Sequence, residues 1–278
     1  MKKKLYVLLV ALSLSISGVF AQKLPKIKGS KNVVSSSRHF DSIKALEISG
    51  KIKLNLVASD STRLEIFADG NLHEIVKTDV SDYTLSIALS KRIIRKKHFE
   101  LTLYIDSLQT ISLMDRNKIE ASGNFNSDTL HLELGNNVIL ADFNTKTNAL
   151  NITSDDSTRL TGKFTSNTLQ LDTAANSIIK AIIQTDSLVI NSADRSKIRL
   201  SGTSKKANLA AIDASQIDLS DVIVNKAIIS AADTSKINTL CKNSLSVSIT
   251  EKGEVISHGN AAITLLKFAD NAVLRKKE

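Results

Sequence analysis

LVINSADRSKIRLSG, residues 188–202, is one unit of a repeat that runs through the C-terminal half of the chain. Similar stretches follow it at 209–220 (LAAIDASQIDLS) and 228–238 (IISAADTSKIN). Less regular copies precede it at 150–160 (LNITSDDSTRL) and 169–179 (LQLDTAANSII). In these copies, alternating aliphatic residues lead into a short turn of small polar residues, so the repeat determines the architecture of this region.

The units can be aligned on one central aliphatic residue each, with a spacing of about 20 residues. The aligned residues are Ile119, Ile139, Leu160, Ile179, Ile198, Ile217, Ile237 and Val255. Short strands repeated at this period favour a β-solenoid over the helical repeat families. Each rung of a solenoid packs its aliphatic side chains against neighbouring rungs about 4.8 Å away. We therefore predict an all-β fold, a parallel β-helix or β-solenoid of about eight rungs with about 19–20 residues each.

The first residues have the layout of a secretory signal peptide. Three lysines, Lys2–Lys4, precede an apolar run from Leu5 to Phe20, and a small-residue cleavage site ends at Ala21. No later stretch approaches the roughly 18 apolar residues of a membrane-spanning helix. We therefore predict an exported protein without a transmembrane segment after signal removal, located in the periplasm, at the cell surface or outside the cell.

The remaining chain is predicted to form one solenoid domain. Its divisions are a signal peptide at 1–21, a flexible basic linker at 22–37, a strand-rich N-terminal half of the domain at 38–107, the repeat rungs of the same domain at 108–270, and a charged tail at 271–278. The N-terminal half is assigned to strands because apolar residues alternate through FDSIKALEISGKIKLNLVASDS, residues 40–61.

Composition limits the chemistry. The chain has no Trp and a single cysteine, Cys241, so an intrachain disulfide is excluded and the core must be mainly Ile, Leu, Val and Ala. The five histidines are scattered without metal-ligand spacing. Since no nucleophile motif, phosphate loop or dinucleotide fingerprint is found either, we expect no enzyme activity, metal or cofactor.

Nearly the whole chain after the signal peptide resembles the exported bacterial family of the putative auto-transporter adhesin, head GIN domain. The residues that carry the resemblance are Phe40–Asp41, Ile48–Ile52, Asp69–Leu72, Val80–Ile87 and Ser122–Gly123. These are turn and strand signatures, and they contain no catalytic motif. The resemblance implies a right-handed parallel β-helix and an adhesive role at the cell surface.

Polar residues recur at fixed positions before the aligned aliphatic residues. Asp lies four residues before the aliphatic residue in several rungs, and Ser, Thr or Asn lies two residues before it. Stacked carboxylates could bind Ca²⁺, but Asp in this position is also a turn former that caps local N–H groups, and we favour the structural role. The weaker hypothesis is a surface binding stripe formed by Asp194, Ser196, Asp213, Ser215, Asp233 and Ser235.

KRIIRKKH, residues 91–98, is the most basic segment after the signal peptide, and we predict an exposed loop there. Its basic patch consists of Lys91, Arg92, Arg95, Lys96 and Lys97. Such a patch could attract anionic polymers by charge, although a solvated surface is the commoner explanation. No aromatic residues are interleaved with the basic ones, so a nucleic-acid partner is not expected.

These observations favour a non-enzymatic, adhesin-like protein of the cell envelope that presents a rigid solenoid surface. The alternative is a glycan-binding or glycan-degrading β-helix protein, and the expected partner is a cell-surface glycan or an envelope protein. Two carboxylates about 5–10 Å apart in a cleft would favour the degrading enzyme, whereas a smooth, hydroxyl-rich rod would favour adhesion.

Overall fold

The computed structural model describes residues 24–277, so the predicted signal peptide at 1–21 lies outside the described residues. The chain is about 70% strand and forms a β-solenoid of about 9 turns. The prediction of an all-β solenoid is therefore confirmed, with one turn more than the rungs identified in the sequence.

The strands, numbered in chain order, are β1 (Lys26–Lys28), β2 (Val33–His39), β3 (Ala45–Ser49), β4 (Lys53–Ala58), β5 (Arg63–Asp69), β6 (Val76–Ser81), β7 (Thr84–Leu89), β8 (Arg92–Arg95), β9 (Phe99–Ile105), β10 (Thr110–Leu113), β11 (Lys118–Ser122), β12 (Asn124–Asn126), β13 (Thr129–Leu134), β14 (Ile139–Ser154), β15 (Arg159–Thr173), β16 (Ile178–Ser192), β17 (Lys197–Ala211), β18 (Gln216–Ala231), β19 (Lys236–Ile249), β20 (Glu254–His258), β21 (Ala262–Phe268) and β22 (Val273–Lys277). A short 3-10 helix, Gly70–Ile75, follows β5.

Each central rung is one long, bent strand followed by a four-residue turn. Strand β16, for example, has 15 residues and is followed by the turn at 193–196, after which β17 begins directly above it. The two strands are parallel, and Leu188 pairs with Ala207 while Ile190 pairs with Leu209. Because parallel rungs stack in register, equivalent residues form columns along the solenoid axis.

The interior is a continuous column of aliphatic side chains. The inward residues of each strand are buried, as in Leu188, Ile190 and Ile198 of the central rungs. Aromatic side chains enter the interior near the first long rungs, where the rings of Phe125 and Phe143 stack with centroids 5.0 Å apart. Cys241 is also buried, and burial raises the pKa of its thiol, as expected for a small core residue.

The register of one rung differs from the sequence alignment. Ile119 pairs with Leu140 rather than with Ile139. The shift by one residue places Asn136 in the turn column and Val138 in the buried column, instead of Gly135 and Asn137. Side chains alternate between the two faces of a strand, so only one of the adjacent residues Ile139 and Leu140 can face the interior. Because both are aliphatic, the sequence pattern did not show which of them does.

In the N-terminal half, the order of strands in the stack differs from their order in the chain. Strand β3 pairs in parallel with β7 on one side and with β10 on the other. Likewise, β4 lies between β9 and β11. The rung formed by β3 and β4 comes first in the chain but second in the stack. The outermost rung is formed by β7 and β9, which come later in the chain and pair with the outer edges of β3 and β4.

Antiparallel strands close the N-terminal end of the solenoid. Strand β6 pairs with β7, and β5 pairs with both β9 and β2. The 3-10 helix buries Leu72 and Ile75 against this end. At the opposite end, β21 exposes Leu265, Leu266 and Phe268, and no other part of residues 24–277 covers these side chains.

Three segment predictions are wrong. The predicted flexible linker at 22–37 contributes strands β1 and β2, because β2 completes the antiparallel edge beside β5. The predicted loop at 91–98 contains β8, which pairs in parallel with β1. The predicted charged tail at 271–278 contains β22, which pairs with β20 as part of the last rung. Among residues 24–277, no helix is long and apolar enough to cross a membrane.

Candidate interaction surfaces

The aspartates of the predicted stripe lie in the turns, where the backbone itself explains their presence. Asp194 and Arg195 have φ of 50° and 61°, and Asp213 and Asp233 have φ of 51° and 49°. Two consecutive left-handed residues define a type I′ turn, and Asp and Asn tolerate this conformation better than most residues. The aspartates therefore favour the turn because they accept a positive φ. From the sequence, we expected instead that their side chains would accept hydrogen bonds from local N–H groups.

The turns also stack on one another. The N–H of Arg195 donates to the carbonyl oxygen of Asp213 at 2.9 Å, and the N–H of Ala214 donates to that of Asp233 at 2.9 Å. The side chains of Asp194, Asp213 and Asp233 project into solvent. In the part of the chain that the structure describes, no three His, Cys, Asp or Glu side chains are placed to hold one metal ion.

The serines of the predicted stripe are inside the solenoid. Ser196, Ser215 and Ser235 are each 0% exposed, so these three residues cannot belong to a surface stripe. The Ser196 hydroxyl donates to the carbonyl oxygen of Ala193 at 2.7 Å. The hydroxyls of Ser215 and Ser235 donate to the carbonyl oxygens of Ser192 and Ala211, each at 2.8 Å. The serine column therefore satisfies buried backbone oxygens where the chain bends.

A second hydroxyl column runs beside the first. Thr173 Oγ1 lies 3.2 Å from Ser192 Oγ and 3.1 Å from Ser196 Oγ, and the two serine hydroxyls are 2.7 Å apart. These bonds connect neighbouring rungs inside the protein. The hydroxyls of these rungs therefore form a buried polar ladder with a structural role.

The outward residues in the last part of each strand, just before its turn, form two columns that contain no Lys or Arg from β7 to β19, and we call these two columns the polar face. Its first column is Thr84, Ala45, Thr110, His131, Asn151, Gln170, Val189, Asn208, Ile228 and Ser246. Its second column is Ser86, Glu47, Ser112, Glu133, Thr153, Asp172, Asn191, Ala210, Ser230 and Ser248. In β21 the second column continues with Lys267, and Lys206 and Lys226 lie beside the first column, two residues before Asn208 and Ile228. The absence of Lys and Arg from β7 to β19 is notable because the chain carries a formal net charge of +9.

Amide and carboxylate side chains on the polar face hydrogen-bond along and across the strands. Asp172 accepts a hydrogen bond of 2.7 Å from the amide of Asn191 and another of 2.7 Å from that of Gln170. Next to these residues, where the polar face meets the turns, a shallow depression is lined by Thr153, Asp155, Asp172, Asn191, Ala210 and Ile212. Small residues at this edge create the depression, and its exposed surface is mainly apolar.

The first part of each strand, just after a turn, presents a different surface, which we call the charged face. Its cations are Lys53, Lys118, Arg159, Lys180, Lys197, Arg199, Lys236 and Arg275. Several of them pair with acids, such as Lys118 with Glu120 at 3.0 Å and Arg199 with Asp221 at 3.2 Å. The two faces of one solenoid therefore differ sharply in charge.

The basic patch lies at the N-terminal end, and two of its arginines belong to a separate two-stranded sheet. Arg92 and Arg95 are in β8, whose partner β1 adds Lys26 and Lys28 to the same small sheet. The sequence analysis placed these lysines in a flexible linker and did not connect them with the patch. The pairing joins segments more than sixty residues apart, and no local signal in the sequence indicates it.

The features expected of a glycan-degrading enzyme are not gathered in one place. Asp155 and Asp172 line the same depression, but both oxygens of Asp172 accept hydrogen bonds from neighbouring amides. The exposed aromatic residues Phe67, Tyr83 and Phe268 lie on different elements at the two ends of the solenoid. They form no common platform for a sugar ring.

Solved structures with the same fold have been described as adhesins. A putative adhesin from Parabacteroides merdae superposes with a TM-score of 0.71 at 17% identity, covering 91% of this chain and 100% of its own. A putative adhesin from Parabacteroides distasonis gives 0.67 at 15% identity, covering 90% and 99%. A putative lipid binding protein from the same species gives 0.66 at 19% identity, covering 91% and 100%. At these identities the likeness concerns the fold.

No curated protein sequence matches this chain. A family model matches it twice, at residues 39–147 and 143–261, so the two matches span nearly the whole described solenoid. The chain therefore belongs to the family described as putative auto-transporter adhesin, head GIN domain.

Proposed function

We propose that this protein is an exported, non-enzymatic, adhesin-like binding protein that contacts its target through the polar face. The observation that carries the proposal is the absence of Lys and Arg from the two columns of this face between β7 and β19 in a basic protein. Solubility alone gives no reason to place the cations on one face and not on the other. A surface without long cationic side chains can approach another flat surface closely, which supports a contact role.

The chemistry of the polar face favours a neutral, hydroxyl-bearing target such as a cell-surface glycan. Asn151, Gln170, Asn191 and Asn208 can each donate and accept hydrogen bonds. Because these side chains sit on a parallel sheet, they are spaced at about 4.8 Å along the solenoid axis. A polymer lying along that axis could bond to several rungs in turn, and weak contacts would add.

The proposal of a non-enzymatic role is supported by the shape and filling of the solenoid. Its interior is packed with aliphatic side chains, and the depression on the polar face is shallow. Family membership and the adhesin descriptions of structures with the same fold point the same way. Export is supported by the signal-peptide layout of residues 1–21.

A glycan array with residues 22–278 tests the proposal. We expect binding to neutral glycans, and we expect Asn191→Arg with Asn208→Arg to abolish it by placing two long cations on the polar face. The matched control is Thr161→Arg with Gln216→Arg, which adds the same charge at outward positions of the charged face. Equal loss in both double variants, or no loss in either, would contradict the polar face as the contact surface. Release of reducing sugar ends from a bound glycan would show an enzyme instead.

A further inference from the structure

Strands β1 and β8, with the residues that flank them, form a projecting strip that we call the basic ribbon. Its exposed cations are Lys26, Lys28, Lys31, Lys91, Arg92, Arg95, Lys96 and Lys97. Neither 24–31 nor 91–99 contains an acidic residue. Within residues 24–277, none of these eight side chains forms a salt bridge. The ribbon therefore concentrates uncompensated positive charge in one place, unlike the charged face.

The ribbon is a built structure and not a pair of loose tails. Ile27 and Ile93 pair across the two strands and pack against the hydrophobic core. The N–H of Gly29 donates to the carbonyl oxygen of Arg95 at 2.8 Å, and the N–H of Arg92 donates to that of Pro25 at 2.8 Å. The cations are thus held on a fixed backbone, so less backbone freedom is lost when they meet a ligand.

A buried carboxylate fixes the ribbon to the solenoid. Asp69, at the end of β5, accepts backbone hydrogen bonds from Lys31 at 3.1 Å, Lys97 at 3.0 Å and His98 at 3.0 Å. A Cβ atom at Gly29 would overlap the Asp69 carboxylate, so glycine is required for this close approach. The carboxylate is directed at backbone N–H groups, which leaves the lysine side chains free to face outward.

The ribbon also exposes apolar side chains among its cations. Leu24 is 47% exposed and Ile94 is 45% exposed. The pairing of β1 and β8 shifts by one residue between Ile27 and Lys28, and Ile94 is the residue left without a partner. Its side chain therefore faces solvent beside Arg92 and Arg95. Exposed aliphatic groups flanked by cations suit a membrane interface, where the cations meet headgroups and the aliphatic groups reach the acyl boundary.

Lys96 of the ribbon lies close enough to Lys53 of the charged face to be affected by its charge. Burial, and then the charge of Lys53, lower the pKa of the Lys96 ammonium, whereas Asp69 acts in the opposite direction. A nearby anion would relieve this repulsion between lysines. Among the described residues, no exposed aromatic side chain lies on β1 or β8, and the Lys96 ammonium lies 5.1 Å from the centre of the Phe99 ring. The exposed ring beside the ribbon is that of Phe67, which packs on His98 with centroids 4.3 Å apart, and a single ring does not form a row on which successive bases could stack.

We propose that the basic ribbon docks on a membrane surface rich in anionic phospholipid, with Ile94 and Leu24 entering the interface. The lysines and arginines bind the phosphate groups, and the polar face stays free to meet its target. The inference goes beyond adhesion, because it concerns how the domain is held at a surface, and it does not depend on which glycan or protein the polar face binds.

Co-sedimentation of residues 22–278 with lipid vesicles tests this proposal. We expect binding to vesicles of phosphatidylcholine and phosphatidylglycerol in about a three-to-one mixture, and little binding to phosphatidylcholine alone. High salt should release the protein, since screening weakens contacts between exposed charges. Arg92→Ala with Arg95→Ala should weaken binding about tenfold or more. The matched control is Lys206→Ala with Lys226→Ala, which removes two exposed cations that pair on neighbouring rungs and form no salt bridge in residues 24–277.

A third variant distinguishes binding to a membrane from binding to any soluble polyanion. Ile94→Ser keeps every cation, so it should weaken vesicle binding but leave binding to soluble polyphosphate unchanged. If Ile94→Ser changes neither, the ribbon is a general polyanion site and the membrane assignment is wrong. Equal binding of wild type to neutral and anionic vesicles, or equal loss in the Lys206→Ala, Lys226→Ala control, also overturns the proposal. Circular dichroism of each variant checks that it is folded, and the glycan array checks that the polar face still binds glycans.

Discussion

The backbone N–H of Lys97 donates a hydrogen bond of 3.0 Å to Oδ2 of Asp69, a carboxylate with no exposed surface. Lys31 bonds to the same oxygen from the other segment of the basic ribbon. Burial opposes ionisation of Asp69, yet the hydrogen bonds from the N–H groups of Lys97, His98 and Lys31 outweigh it and hold its pKa below the usual value. One ionised side chain therefore joins two segments that are distant in sequence.

Asp69→Ala should release the basic ribbon while the rungs stay folded. It leaves three backbone N–H groups without their acceptor, and unsatisfied buried donors are destabilising. Hydrogen exchange should accelerate at residues 24–31 and 91–98 and stay slow in β15–β18. Asp79→Ala removes an exposed acid from β6 and serves as the control. Protection of the ribbon that is equal in the two variants would show that Asp69 does not hold it.

The same interaction predicts a pH dependence. Because the folded-state pKa is lowered, the stabilisation is present above the ordinary pKa of aspartate, about 3.9, and is lost as the pH falls through the lowered value. Exchange of the ribbon should therefore accelerate below about pH 4 in the wild type. Asp69→Ala should show no such step, and a step of equal size in the variant would assign it to another group.

Ile198→Asp should unfold the central rungs. Ile198 is 2% exposed and is stacked between Ile179 and Ile217. A charge buried there has no partner, while Ile198→Ala would leave a cavity and cost about 2–5 kcal/mol. Thermal unfolding followed by circular dichroism measures both. Lys197→Asp is the control, because its side chain faces outward. A melting curve of Ile198→Asp that matches that of Lys197→Asp would refute the register.

The solenoid could be predicted because its information is local. Alternation around Leu188 and Ile190 identifies the buried side of each strand, and a constant period aligns the rungs. Ile139 and Leu140 show the limit, since two adjacent aliphatic residues fit the pattern equally and only pairing with Ile119 decides between them.

The two surfaces proposed for binding could not be predicted, because both depend on long-range pairing. Asn191 and Asn208 are individual side chains contributed by two different rungs. The polar face forms only when ten strands stack in register and bring such side chains into columns. In the basic ribbon, Lys26 and Arg92 meet across two very short strands. A three-residue strand such as β1 is too short to show an alternation that indicates burial.

The turn aspartates should be replaceable wherever the new residue accepts a positive φ. Asp194→Asn should change stability by only a few tenths of a kcal/mol, whereas Asp194→Val should cost about 1–3 kcal/mol, since a β-branched residue is strained at φ 50°. Urea unfolding with and without Ca²⁺ tests this. A Ca²⁺-dependent stabilisation that Asp194→Asn abolishes would show that the aspartate column binds the ion.

Glu251→Gln should stabilise the last rungs in a pH-dependent manner. Glu251 occupies the turn column between Asp233 and Asp270, and the hydrogen bond with Asp233 and its charge, together with the charge of Asp270, raise the pKa of Glu251. Below the ordinary pKa of glutamate, about 4.3, the side chain is protonated in both the folded and the unfolded protein and there is no repulsion. As the pH rises through the raised pKa, the folded state loses stability because it must hold neighbouring negative charges.

The advantage of Glu251→Gln over the wild type should therefore be absent near pH 4 and present near pH 7. Urea unfolding midpoints at the two pH values measure it, and hydrogen exchange of β20 and β22 locates the effect. Lys252→Gln, at the next position of the turn, is the control, because it removes a charge from the same turn but leaves the three carboxylates in place. An advantage of equal size at both pH values would mean that the substitution acts through the turn conformation of residue 251, whose φ is 58°, and not through repulsion between carboxylates.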